Sequence, residues 1–128
     1  MKKMQLLIIL LLLVTLVGCG NKEITYQTIS AATAKEMMDE DKDVIILDVR
    51  TKDEYNEKHI EGAILLPVTV VAERVESLIP DKDTTILVYC RSGNRSATAS
   101  AELVSLGYTD VYDFGGIIDW IYGTVSEE

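Results

Sequence analysis

The chain predicts an α/β domain, one sheet with helices on both faces. Three observations carry this. Short runs of β-branched and aromatic residues alternate with segments that open on helix-capping residues, two of those runs are apolar without a break, and glycine or proline closes most segments. An unbroken apolar run suits a strand buried on both faces, and regular alternation suits a sheet wrapped by its own connecting helices.

Ile24–Ile29 has strand character, and Ser30 can cap a helix running through Asp39, with Met37 and Met38 as core filler. The charged stretch 39–43 is a solvated connection. Val44–Asp48 is the first unbroken apolar strand. Thr51-Lys52-Asp53-Glu54 forms a capping box and opens a short helix to about Lys58. Residues 60–67 turn at Gly62 and give a brief strand that Pro67 closes, after which Thr69–Leu78 reads as a helix. Thr85–Tyr89, bounded by Pro80-Asp81-Lys82-Asp83, is the second apolar strand. Ser96–Leu106 reads as a helix that Gly107 stops. A short strand at Asp110–Tyr112 and a last helix after Gly115-Gly116 complete the pattern.

Residues 1–18 stand apart from this domain. Lys2 and Lys3 precede an apolar run from Leu6 to Val17, shorter than the roughly 20 residues a membrane span needs. Leu16-Val17-Gly18-Cys19 resembles the bacterial lipoprotein box, which implies cleavage before Cys19 and lipidation of that cysteine; an uncleaved signal anchor is the alternative. The expected organisation is a signal peptide over 1–18, a lipidated tether over 19–23 and the domain over 24–128. It implies a lipid anchor on the extracytoplasmic face of a membrane in the bacterial envelope. Acylated Cys19 could form no disulfide, so Cys90 would be a lone thiol in a compartment that favours pairing, which suggests a sulfur kept for its chemistry. The net charge is −9, and loss of Lys2 and Lys3 makes it more negative. Nucleic acid is not an expected partner, and a monomer is expected.

The segment Val88-Tyr89-Cys90-Arg91-Ser92-Gly93-Asn94-Arg95-Ser96 sets one thiol where a strand ends and a helix begins. Small and polar residues there let successive amides turn inward, and such a nest, beside the positive end of a helix, holds anions. Cys90 next to Arg91 and Arg95 should therefore titrate below the free-thiol value of about 8.5. Gly93 permits the positive φ a nest requires, while Ser92, Asn94 and Ser96 act through amides and capping. Asp48 and Arg50 end their own strand and are expected to pair, pinning adjacent loops at the same edge of the sheet.

These residues resemble a single-domain rhodanese, a sulfurtransferase module, over nearly all of 24–122. The likeness rests on Leu47-Asp48-Val49-Arg50 with Glu54-Tyr55, on His59-Ile60-Glu61-Gly62-Ala63 to Pro67, on Tyr89 to Ser96, and on Gly115-Gly116-Ile117-Ile118-Asp119-Trp120. It implies a central five-stranded parallel sheet and a six-residue loop, Cys90 to Arg95, whose amides surround a persulfide. Cys90 is then the nucleophile that takes a sulfane sulfur from thiosulfate, a polysulfide or a persulfide and passes it to a thiol, cyanide or a protein acceptor. Arg91 and Arg95 would hold a donor oxyanion, His59 would be a structural hydrogen-bonding residue, and no metal or organic cofactor is required. Lys58 stands where the family usually has glycine, and Leu65 where asparagine is common. Two rivals remain. A cysteine phosphatase also ends such a loop with arginine but has five residues between them, where Cys90 and Arg95 enclose four. A non-catalytic binding or sulfur-sensing lipoprotein would keep the scaffold without turnover.

Overall fold

The computed structural model describes residues 24–127. The expected signal segment, the Cys19 lipidation site and the tether lie outside them. The elements are β1 (Gln27–Thr28), α1 (Ala31–Glu40), β2 (Ile45–Asp48), α2 (Lys52–Glu57), β3 (Ile64–Leu65), a 3-10 turn (Val68–Val70), α3 (Val71–Leu78), β4 (Ile86–Cys90), α4 (Asn94–Ser105), β5 (Val111–Gly116) and a closing 3-10 turn (Ile117–Asp119). The five strands make one parallel sheet in the order β1-β5-β4-β2-β3.

Local sequence explains most boundaries. Ser30 caps α1 by accepting from the Thr33 amide, and Thr51 with Glu54 makes the full reciprocal capping box of α2. Side chains of the central strand β4 alternate between two cores. Ile86, Val88 and Cys90 join the core roofed by α3 and α4, with Val71, Val75, Ala99 and Leu103. Leu87 and Tyr89 join the opposite core beneath α1, with Ala34, Ile60, Phe114 and Ile117, and with Met37 and Met38 packed against it. Helices thus cover both faces, whereas α2 buries none of its residues and sits over the carboxyl ends of the strands through polar contacts. No described helix is long and apolar enough to cross a membrane.

Five elements differ from expectation, and the helix expected over 69–78 is one of them: a 3-10 turn, Val68–Val70, precedes α3, which begins at Val71. The strand expected over 24–29 is only two residues long, because it lies at the sheet edge with β5 as its one partner. The strand expected to stop at Tyr112 runs to Gly116, since β1 and β4 flank it on both sides. The last helix is a single 3-10 turn. The helix expected from Ser96 begins at Asn94, with Gly93 at φ 111° as its N-cap. Lys58 has φ −165°, extended backbone that any residue adopts, so replacing the family's usual glycine introduces no strain there. Leu65 is an ordinary β3 residue paired with Asp48.

Candidate active site at the end of the central strand

Cys90 is the last residue of β4, the middle strand of five, and is 1% exposed. The chain then turns through Arg91, Ser92 and Gly93 and enters α4, wrapping its own amides around the sulfur. The Gly93 amide donates to Cys90 Sγ at 3.0 Å, and the thiol lies 3.4 Å from Ser96 Oγ, to which it donates. Ser96 Oγ also donates to the Gly93 carbonyl at 3.0 Å. A hydroxyl rotates freely, so Ser96 accepts from the thiol and donates to the thiolate. Burial pushes the Cys90 thiol up, but the Ser96 hydroxyl and the amides of Ser96, Gly93 and Ser92 outweigh it, and the pKa is lowered. The sequence assigns this shift to an amide nest at a helix start together with the flanking arginines. The structure gives it to the amides and one hydroxyl, because these touch the sulfur.

Beneath the loop the sheet carries a β-bulge. Val88 pairs with Asp113 and Cys90 with Gly116, so β5 holds one extra residue at this point, and Gly115 takes φ 84°. Asp113 Oδ1 accepts from the Gly115 amide at 2.9 Å and fixes the kink. Gly116 then lies against the loop so closely that a Cβ there would meet the Arg91 carbonyl oxygen at 2.1 Å. Just beyond it the Ile118 amide donates to that carbonyl oxygen at 3.3 Å. Gly116 is therefore a site residue that sequence reasoning missed, having used the Gly115-Gly116 pair as a helix start and as part of the family motif, with no role at the loop.

Arg95, expected to hold a donor oxyanion, is engaged elsewhere. Its Nη1 and Nη2 donate to the two carboxylate oxygens of Glu54 at 2.6 and 2.9 Å, a forked pair joining α4 to α2. The Arg95 guanidinium holds the Glu54 carboxyl down to about 2, burial opposing and Thr51 assisting. Glu54 raises the Arg95 pKa in turn, against burial, and the charge on Cys90 adds to that rise. Arg91 is exposed and lines the cleft described below, and its carbonyl anchors the loop to the Ile118 amide. Asn94 is exposed at the start of α4, where its carbonyl accepts from Thr98 Oγ1. Ser92 contributes its amide.

Asp48 and Arg50 meet behind the site in a buried ion pair of 2.7 Å, 0% and 3% exposed. Tyr89, next to Cys90 in sequence but on the other face, donates from its hydroxyl to Asp48 Oδ2 at 2.6 Å and accepts from the Ile60 amide at 3.1 Å. Burial and the Asp48 carboxylate both raise the Tyr89 pKa, so it remains a neutral donor. Arg50 Nη2 also donates to the Lys58 carbonyl at 2.7 Å. One network therefore ties β2, β4, the end of α2 and residue 60. Burial lowers the Arg50 pKa, yet the hydrogen bond and charge of Asp48 prevail and raise it. His59 stacks on Tyr55 at 3.7 Å and its Nδ1 lies 2.7 Å from the Tyr55 carbonyl, a scaffold contact away from the sulfur.

A cleft of about 400 Å³ opens at the loop, walled by Arg50, Glu54, Glu57, Lys58, Arg91 and the Ile117-Ile118 pair. A larger one, about 500 Å³, lies between α1 and residues 120–125 and contains none of the loop. Of these two, only the smaller is lined by a residue of the cysteine loop, Arg91. Among the described residues no cluster of His, Cys, Asp or Glu could hold a metal ion.

The rhodanese-like domain family matches residues 30–122. The thiosulfate sulfurtransferase PspE of Escherichia coli (strain K12) is 41% identical over 73 residues, covering 57% of this chain and 70% of that protein. The thiosulfate sulfurtransferase GlpE of Coxiella burnetii is 36% identical over 96 residues, 74% of this chain and 87% of that protein. Among solved structures, a rhodanese with anions from E. coli superposes with a TM-score of 0.61 at 38% identity, covering 64% of this chain and 96% of that one. With a family match that takes in four of the five strands and a relative of 36% identity matched over 87% of its length, this chain belongs to the rhodanese-like family of sulfurtransferases.

Proposed function

We propose that this sulfurtransferase works through a persulfide on Cys90, with thiosulfate as donor. The Cys90 thiolate attacks the outer sulfur of thiosulfate, the S–S bond breaks, and sulfite leaves with the bonding pair. The new terminal sulfur inherits the anion, and the amides that held the thiolate hold it in turn. A thiol or cyanide then attacks that outer sulfur and restores the Cys90 thiolate. The observation that carries this reading is the ring of donors on the sulfur, the Gly93 amide at 3.0 Å and the Ser96 hydroxyl at 3.4 Å, at the end of the central strand. The names of the two relatives and the anions of the similar E. coli structure support the donor class.

Donor oxyanions fall to Arg91, an exposed residue of the cleft lining, while Arg95 braces the loop through Glu54. The expected test is intact mass after thiosulfate: one added sulfur on the wild type, none on Cys90→Ser, and loss of the sulfur on adding cyanide or a thiol. A wild-type chain that stays unloaded while its thiol remains reduced would refute the persulfide. The lipoprotein-box resemblance at Cys19 supports membrane tethering on the extracytoplasmic face, tested by whether Cys19→Ala releases the protein from membranes.

A further inference from the structure

The cleft at the loop carries more charge than it leaves free. Asp48 neutralises Arg50 across 2.7 Å, and Arg95 neutralises Glu54 across 2.6 Å. Among the described residues, the remaining charged groups of the cleft, Glu57, Lys58 and Arg91, form no ion pair. Their sum is one positive charge, set in a chain whose net charge is −9. Without Lys58 the sum is zero. With the Cys90 thiolate counted as well, the site is neutral with Lys58 and carries one negative charge without it, so Lys58 decides whether a small anion is repelled on reaching the loop. The position is free to serve this end, since its backbone is extended and only its backbone groups join the scaffold, the carbonyl to Arg50 and the amide to Glu54.

We propose that Lys58 is a specificity-determining residue: with Arg91 it supplies the unpaired positive charge at the cleft and selects doubly charged sulfane-sulfur donors over singly charged ones. The proposal rests on the sulfurtransferase reading above and adds to it a residue outside the cysteine loop. The same bond chemistry serves both donor classes. Thiosulfate releases sulfite, and an aryl thiosulfonate such as benzenethiosulfonate releases the sulfinate, each taking the electron pair of the broken S–S bond. Coulomb energy is linear in the donor's charge, so the KM change for a dianion should be about the square of that for a monoanion.

The test compares thiosulfate with benzenethiosulfonate at low salt for the wild type and for Lys58→Gln, Lys58→Glu, Lys58→Arg and Lys52→Gln. Lys58→Gln should raise the thiosulfate KM about five-fold and the thiosulfonate KM about two-fold, with the loss borne by KM more than by kcat. Lys58→Glu, which changes the charge by two, should square each factor, and Lys58→Arg should restore the wild-type values. Lys52→Gln removes the same charge on the same helix outside the cleft and should leave both donors unchanged. Raising ionic strength should narrow the gap between wild type and Lys58→Gln. Equal KM changes for the two donors, or equal effects of Lys52→Gln and Lys58→Gln, would overturn the assignment to Lys58. A wild type that accepts sulfur from neither donor would instead overturn the sulfurtransferase reading beneath it.

Discussion

Replacing Gly116 with alanine should damage stability and sulfur transfer together. The new Cβ would stand 2.1 Å from the Arg91 carbonyl oxygen, 2.6 Å from its carbonyl carbon and 2.7 Å from Ser92 Cα. All three are backbone atoms, so no side-chain rotation relieves the clash. Non-bonded atoms prefer about 3.5 Å, so the loop must withdraw by roughly 1 Å. Overpacking of this kind costs about 1–3 kcal/mol. The withdrawn segment carries the Ser92 and Gly93 amides that hold the sulfur, and a misplacement of about 1 Å at reacting groups costs on the order of 100-fold in rate. Urea denaturation reads the first effect; the rate of sulfur loading from thiosulfate and the pH dependence of Cys90 alkylation read the second. Gly62→Ala is the control: its Cβ meets nothing within 4 Å, and φ 84° costs only local strain of about 1–2 kcal/mol, leaving loading unchanged. A Gly116→Ala protein that loads sulfur within two-fold of wild type and keeps its stability would refute the argument from close approach.

Ser96→Ala should raise the Cys90 pKa, because burial then opposes ionisation with the amides alone against it, and alkylation profiles should move to higher pH. Asp48→Asn should cost about 3–5 kcal/mol in urea denaturation, since it strands a guanidinium that is 3% exposed. Tyr89→Phe, which leaves the Ile60 amide unpaired while Asp48 Oδ2 keeps Arg50 as its donor, should cost less, about 1–3 kcal/mol; the reverse order would contradict the network. Glu54 has a folded pKa of about 2 against an ordinary 4.5. Its stabilisation is therefore complete above about pH 4.5 and is lost as pH falls toward 2. Glu54→Gln should flatten acid unfolding over that window, and an unchanged acid limb would show that the pair contributes nothing.

What the sequence by itself determined lies within a few residues of each signal. The N-cap at Ser30 and the capping box at Thr51, the apolar runs of β2 and β4, and the positive φ at Gly93 follow from local sterics and hydrogen bonding, which neighbouring residues specify. So does the placement of Cys90 where a strand hands over to a helix. The rest needed the fold. Arg95 stands beside Cys90 in a basic loop and reads locally as an anion holder, yet its carboxylate partner, Glu54, lies 41 residues away and arrives only when α2 settles over the strand ends. Tyr89 reads as an apolar strand residue, and its phenol finds Asp48 only through the pairing of β4 with β2. Gly116 reads as a turn glycine, while its absolute need to lack a side chain comes from the bulge that slides β5 under the Arg91 carbonyl. In a parallel sheet every neighbouring strand is reached through a long crossover, so contacts that pin the loop join distant segments, and no local periodicity records which of them will meet.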